Sequence, residues 1–197
     1  MSVKFKKLSS FNRGILFELL TDAYSFDRRY EQSSISDWQD CDNFFFDHLQ
    51  IADKYAFITT VNDEPIGFVV WDPRNMPEYA EIGHNCIASK HKGNGYGKIQ
   101  LQEAVNRISQ NDVKKIIVTT NDDLNPAQRM YESVGFTMYQ KRRNENSADF
   151  IEEFIDYVYF LLNVKVFTYI LLKHKRLSQA VILWLKGWSL LSFHSKS

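Results

Sequence analysis

Cysteine is nearly absent from this 197-residue chain: it has two, Cys41 and Cys86, far apart and outside any metal-ligand spacing. That excludes a disulfide-stapled scaffold and a thiolate zinc site, and favours a reduced, cytoplasmic protein with no metal. Net charge is lacking as well. Lys plus Arg and Asp plus Glu number 24 each, so the balance gives no support to nucleic acid as a partner. The start, MSVKFKKLSS, carries positive charge but no apolar run after it, so no secretory signal is expected. Long hydrophobic runs are missing too. The stretch from Tyr157 to Leu172 is apolar, but Asn163 and Lys165 interrupt it, and it falls short of the ~20 residues of a membrane-spanning helix. What remains is core material: 44% hydrophobic and 15% aromatic residues, enough to build a packed domain.

The even charge hides two local biases. Between residues 18 and 47 stand Glu18, Asp22, Asp27, Glu31, Asp37, Asp40, Asp42 and Asp47 against only Arg28 and Arg29. Residues 163 to 197 carry Lys165, Lys173, Lys175, Arg176, Lys186 and Lys196 and no acid.

Hydrophobic periodicity gives the element order. VKFKKL alternates as a first strand, and Ser10 is placed to cap a helix running to about Tyr24. Ser36 opens a second helix to about Ile51. YAFITTV and IGFVVW read as strands joined by a hairpin turn at NDEP, and YAEIGHNCIA as the next strand. A helix from about Tyr96 to Gln110 follows, then the strand KKIIVTT. NPAQRMYESVGF reads as a short helix with Asn125 as cap, Pro126 at its first position and Gly135 as its stop. FTMYQKRR and FIDYVYFLL close the pattern. The expected fold is α/β: a mixed sheet of six to seven strands with helices on both faces. The two strand–helix–strand steps are expected to supply its parallel part.

Three of the eight glycines, Gly93, Gly95 and Gly97, fall just before a helix, with Lys92 and Lys98 beside them. Bare backbone at a helix N-terminus suits an anion, above all a phosphate, though a plain strand-to-helix turn fits the same residues. Two common phosphate loops do not fit. The dinucleotide pattern would need glycine where Lys98 stands. The nucleoside-triphosphate loop would need Ser or Thr at Ile99 and glycine at Lys92.

The run KGNGYG resembles the Arg/Gln-x-x-Gly-x-Gly/Ala loop of the GNAT superfamily of N-acetyltransferases, with Lys92 in the Arg/Gln place. NPAQRMYESVGF is similar to that family's Asn-x-x-Ala-x-x-x-Tyr-x-x-x-Gly-Phe run, Ala127 standing one place early, and DEPIGFVVW resembles its central hairpin. The likeness spans about residues 3 to 162. It implies a GNAT fold at residues 1–162 and an acetyl-CoA co-substrate. Its pyrophosphate would rest on Lys92, Gly93, Asn94, Gly95, Tyr96, Gly97 and Lys98. In this family the strand before the loop bends away from its parallel neighbour. Backbone groups near Cys86, Ile87 and Ala88 would then pair with the pantetheine arm and polarise the thioester carbonyl.

The resemblance also implies chemistry. Tyr131 aligns with the tyrosine that faces the departing sulfur, and is the candidate general acid. Asn125 would cap its helix or touch CoA. Glu81, eleven residues before Lys92, resembles the glutamate base of the histone-acetylating branch. His84 and Glu78 are other candidates for the base, as is water. On an alternating strand Glu81, Gly83 and Asn85 would share one face and Ile82, His84 and Cys86 the other. The acceptor site would be built by the first two helices. Their acids suit an amine on a small molecule or peptide, and Tyr24, Phe26, Tyr30 and Trp38 suit an apolar wall. Another acyl donor, or a non-catalytic acyl-CoA-binding or regulatory domain, would carry the same motifs.

Residues 163–197 form a basic, amphipathic extension. Leu177, Val181, Trp184, Trp188 and Leu191 recur at helical spacing. Such a stripe suits packing on the body or on a second subunit as a homodimer, or peripheral contact with an anionic membrane.

Overall fold

A computed structural model describes residues 2–146 and 150–161. The extension at residues 163–197, with its stripe, lies outside them. Seven strands are present: β1 (Val3–Lys6), β2 (Ala56–Val61), β3 (Glu64–Asp72), β4 (Ala80–Ile87), β5 (Lys115–Asn121), β6 (Thr137–Arg143) and β7 (Glu153–Phe160). Five helices accompany them: α1 (Ile15–Ala23), α2 (Arg28–Asp47), α3 (Leu49–Tyr55), α4 (Tyr96–Ser109) and α5 (Asn125–Val134). The strands form one sheet in the order β1-β2-β3-β4-β5-β7-β6. Among the described residues no helix is long and apolar enough to cross a membrane.

The β2–β3 hairpin turns at Asn62 and Asp63, whose φ values of 51° and 67° are the left-handed pair that a two-residue hairpin requires. Among the described residues only β4 and β5 pair in parallel. The second crossover, through α5, does not set β6 beside β5, because β7 lies between them and pairs antiparallel with both.

Helix starts differ from the sequence reading. α1 begins at Ile15, not at Ser10, which lies in a short 3-10 turn. Its cap comes from elsewhere in the chain: the buried Asp42 carboxylate on α2 accepts from Gly14 N–H (2.8 Å) and Leu16 N–H (3.1 Å). α2 starts eight residues before Ser36, because Asp27 accepts from Arg29 N–H and supplies the N-cap. α5 is preceded by Leu124, so Asn125 is its first helical residue and not its cap. Gly135 ends it as expected, at φ 105°.

Two apolar clusters cover the two faces of the sheet. One sets Val69, Ile82, Ile116, Val118 and Ile155 against Leu101, Ala104 and Val105 of α4 and Tyr131 and Val134 of α5. The other sets Ile58, Phe68, Val70 and Cys86 against Leu16, Leu20, Tyr30, Trp38 and Ala52 of α1, α2 and α3.

The side chain of Gln100 on α4 is fully buried and reaches down into the sheet. It accepts from Thr59 Oγ1 (2.6 Å). Its amide nitrogen donates to Phe68 O (2.8 Å), Asn85 Oδ1 (2.7 Å) and Cys86 O (3.1 Å). Gly67 makes room for it. A Cβ there would stand 2.3 Å from the Cys86 carbonyl oxygen and 3.1 Å from Gln100 Oε1. Because the first obstacle is backbone, Gly67→Ala should destabilise the domain by about 1–3 kcal/mol or more. A lowered urea midpoint at unchanged slope checks this.

Candidate active site

β4 and β5 pair over three residues only, Ala80–Ile82 against Ile116–Val118. Beyond Ile82 the two strands part. β4 stays paired to β3 as far as Ile87, and the Ala88 N–H donates to Ile66 O at 2.7 Å. Along an antiparallel ladder alternate residues face the same neighbour. Cys86 and Ala88 therefore turn their backbone groups toward β3, while Asn85 and Ile87 turn theirs toward the opening. Of the three backbone positions expected to serve an acyl donor, Ile87 has the outward direction. The Ala88 amide is engaged within the sheet, and the Cys86 carbonyl also takes the Gln100 amide.

The face alternation of β4 is not regular. The register with β3 shifts between Val70, paired with His84, and Trp71, paired with Ile82, leaving Gly83 as an extra residue. A bulge of one residue reverses the sides of everything beyond it. Ile82 packs under α4 and α5, whereas Cys86 packs under α1 and α2. Asn85 joins Gln100 on the α4 side, and His84 lies against Phe68 and feels Asp37 of α2. So Glu81 and His84 share a face, and Asn85 lies on the opposite one, contrary to strict alternation.

The glycine loop leads into α4. Gly93 (φ 78°) and Gly95 (φ 81°) adopt left-handed backbone and face open space, whereas a Cβ on Gly97 would stand 2.8 Å from Met130 Sδ on α5. Two of the glycines thus serve the turn and the third serves helix packing. The first turn of α4 presents the amides of Gly97 and Lys98 ahead of Ile99, whose N–H already bonds Gly95 O. The Asn94 side chain is used locally, donating to His91 O and Lys92 O. The Lys92 ammonium does not reach along the loop. It caps Ala23 O, the last carbonyl of α1, and lies 4.9 Å over the Phe26 ring. Asn125 is exposed at the start of α5, its amide near Asp123 O.

Tyr131 lies in the core beneath the opening, between the rings of Phe136 and Tyr157. Burial pushes its hydroxyl up to about 12, with the Asn85 amide opposing. Gln100 turns its amide nitrogen to backbone carbonyls, so Asn85 offers it Oδ1 and turns its own N–H groups toward Met130 Sδ on α5. Tyr24 stands across the gap. Burial raises its pKa, and Tyr131 and Cys86 lie near enough to add to the shift. Both cysteines are free, and burial pushes each thiol up to about 12.

Glu81 sits at the paired end of β4. Four residues at about 3.3 Å each put it on the order of 10 Å from Asn85. Its pKa is raised mainly by burial, then by the carboxylates of Asp72 and Asp156, with Arg142 and Arg74 opposing. Glu78 is at the surface, paired with Lys114.

The acids of the first two helices are divided. Asp42 and Asp27 cap helices, Asp22 accepts from Ser89 N–H, and Asp47 pairs with Arg13. Glu18, Glu31, Asp37 and Asp40 are exposed. The aromatic wall is assembled. Tyr24 stacks on Trp38 at 5.4 Å, Tyr30 contacts Tyr24 and Phe26, and Phe150 from the β6–β7 loop meets Tyr30 edge-on at 4.8 Å. Tyr30 donates to Asp123 (2.8 Å), which ties the wall to the start of α5. Periodicity alone did not single out Asn85, Gln100 or Phe150.

The chain belongs to the acetyltransferase (GNAT) family, whose model matches residues 15–136, more than half its length. No curated protein matches it in sequence. Its fold is similar to that of a GNAT-family protein from Desulfovibrio desulfuricans, with a TM-score of 0.64 and 16% identity over 81% of this chain and 98% of the other. It is also similar to the ribosomal-protein-S18-alanine N-acetyltransferase of Escherichia coli, with a TM-score of 0.60 and 16% identity over 80% and 92%. A GNAT-family acetyltransferase from Elizabethkingia anophelis with acetyl-CoA bound gives a TM-score of 0.58 and 16% identity over 81% and 97%.

Two outcomes follow from this geometry. Val at position 95 would put a β-branched side chain at φ 81°, where glycine alone is at ease. Gly95→Val should weaken CoA binding in calorimetry at least about tenfold, since the misplaced helix start forfeits the amide geometry. The second outcome concerns His84, whose pKa is lowered by burial. A depressed imidazole is neutral in the fold and takes up a proton on unfolding. Its contribution is therefore intact above the unfolded value of about 6.5 and is lost as pH falls toward the folded value. His84→Leu should flatten the fall in urea stability between pH 7 and pH 5 relative to the parent.

Proposed function

We propose that this protein transfers an acetyl group from acetyl-CoA to a primary amine, on a small molecule or a peptide, by direct attack. The observation that carries this reading is the opening between β4 and β5. The outward backbone of Ile87 and the first amides of α4 border it, and Tyr131, on α5, is buried in the core. Family membership supports acetyl transfer, and the acetyl-CoA bound by the Elizabethkingia protein supports the donor. The alanine acceptor named for the Escherichia coli protein supports an amine.

In this reading the amides of Gly97 and Lys98 and the loop at Gly93 to Tyr96 hold the pyrophosphate at the positive end of α4. The Ile87 N–H polarises the thioester carbonyl as an oxyanion donor does. Tyr24 and Phe26, backed by the buried Tyr30 and Trp38, seat the acceptor. An ammonium must lose its proton before attack. Glu81, through water, is the proposed base, its raised pKa bringing it nearer to neutrality. Attack on the carbonyl carbon forms the new C–N bond, and the C–S bond breaks as the sulfur departs. Tyr131 donates a hydrogen bond that strengthens as charge grows on sulfur. Its raised pKa makes complete proton transfer uphill, so stabilisation of the thiolate is the larger part of its role.

Such a contact acts mainly in the transition state and should appear in kcat. With acetyl-CoA and a panel of primary amines and peptide N-termini, release of free CoA thiol should identify an acceptor. On that acceptor Tyr131→Phe should lower kcat by ~10²-fold while CoA affinity and melting temperature hold. Parent-level turnover by Tyr131→Phe, with chemistry rate-limiting, would make Tyr131 a core residue only.

A further inference from the structure

The loop that precedes α4 is fastened to the end of α1. Ser89 N–H donates to the Asp22 carboxylate at 2.6 Å, and Ser89 Oγ donates to Asp22 O at 2.5 Å. Ser25 Oγ donates to the same carbonyl at 2.8 Å and lies 3.4 Å from Ser89 Oγ. Three residues on, Lys92 donates to Ala23 O and covers the Phe26 ring. The carbonyls of Asp22 and Ala23 are among the last of α1; Asp22 O also accepts from Ser25 N–H at 3.2 Å, while Ala23 O is taken by Lys92. The loop before α4 therefore shares in the C-terminal cap of the helix that begins the aromatic wall. Phe26 touches Tyr24 and Tyr30, with ring centroids 6.2 Å and 5.4 Å away, and Tyr24 stacks on Trp38.

Lys92 stands where the family resemblance implies a residue serving the donor. Its ammonium is instead directed away from the first turn of α4. Burial of that charge lowers its pKa, while Asp22 is close enough to oppose the shift. Lys92 is an exposed residue, and the Ala23 carbonyl and the Phe26 ring give its ammonium a defined place.

We propose that Asp22, Ser89 and Lys92 are positioning residues for the acceptor wall: they form a clasp that transmits occupation of the glycine loop to residues 24–31. The inference rests on the donor site proposed above. When residues 93–98 close on a pyrophosphate, Ser89 and Lys92 are held with them, and so is the end of α1. The wall then becomes ordered from one side before any acceptor arrives. Coupling of this kind is a differential effect between two sites, and an ordinary coupling amounts to about fivefold or more.

Hydrogen–deuterium exchange on the full chain, with CoA alone as the probe, reads this without knowledge of the acceptor. In the parent, CoA should slow exchange at residues 93–99 and also, by about fivefold or more, at residues 24–31. Lys92→Met keeps the aliphatic stem and removes the cap. It should retain protection at 93–99 and lose it at 24–31, and Lys92→Arg should restore it. Asp22→Asn weakens the Ser89 bonds from the other side and should give the same split, which covers failure of the first variant to fold. Protection of 24–31 that survives in both variants, or that never arises in the parent, overturns the clasp. Absence of protection at 93–99 in the parent overturns the donor-site reading itself.

Discussion

Everything at the site depends on two strands that stop pairing. After Ala80–Ile82 meets Ile116–Val118, β4 and β5 separate, and the sheet acquires an opening in its middle. Unpaired backbone inside a domain is costly unless something compensates. The backbone groups that face the opening are those of Asn85 and Ile87, and the Gln100 side chain braces the other side of β4. Descending from α4, it binds carbonyls on β3 and β4 and fixes Asn85 from within. The bulge at Gly83 turns His84 and Cys86 toward α1 and α2 and Asn85 toward α4. The separation, the bulge and the buried amide together set which groups border the opening and which are used up in the sheet.

Several residues that look chemical are occupied by structure. Asp42 is the N-terminal cap of α1, Asp27 the cap of α2, and Asn94 a brace of its own loop. Gly97 allows α4 to approach Met130 on α5. The acidic character of the first two helices is therefore weaker as an electrostatic argument than composition implied. Tyr24, Phe26, Tyr30 and Trp38 do come together, with Phe150 on one side, but Tyr30 and Trp38 are core residues and only Tyr24 and Phe26 keep accessible surface.

The seven strands and four of the five helices were legible in sequence, because alternation in YAFITTV and KKIIVTT and helical spacing in Tyr96–Gln110 are local signals, whereas α3 was not read apart from α2. What was not legible was set by partners distant along the chain. Ser10 and Ser36 looked like caps by composition, but Asp42 and Asp27 hold the helix starts. The place of β7 between β5 and β6 follows from strand pairing that no local pattern encodes. The face assignments on β4 failed because one unpaired residue, Gly83, resets the alternation. At the candidate site, the glycine loop and Tyr131 were visible as motifs. Asn85 and Gln100 were not, since their importance lies in a buried hydrogen-bond path between α4, β4 and α5.

The central claim is that the opening between β4 and β5, with the first turn of α4, is where the acyl donor binds. Amide chemical shifts of the full chain, recorded with nitrogen-15 labelling during titration with acetyl-CoA, test it directly. The account predicts the largest saturable shifts at Ile87, Gly97 and Lys98, with smaller ones at Tyr24 and Phe26. Saturable binding with Ile87, Gly97 and Lys98 unmoved, or no binding at all, would contradict it.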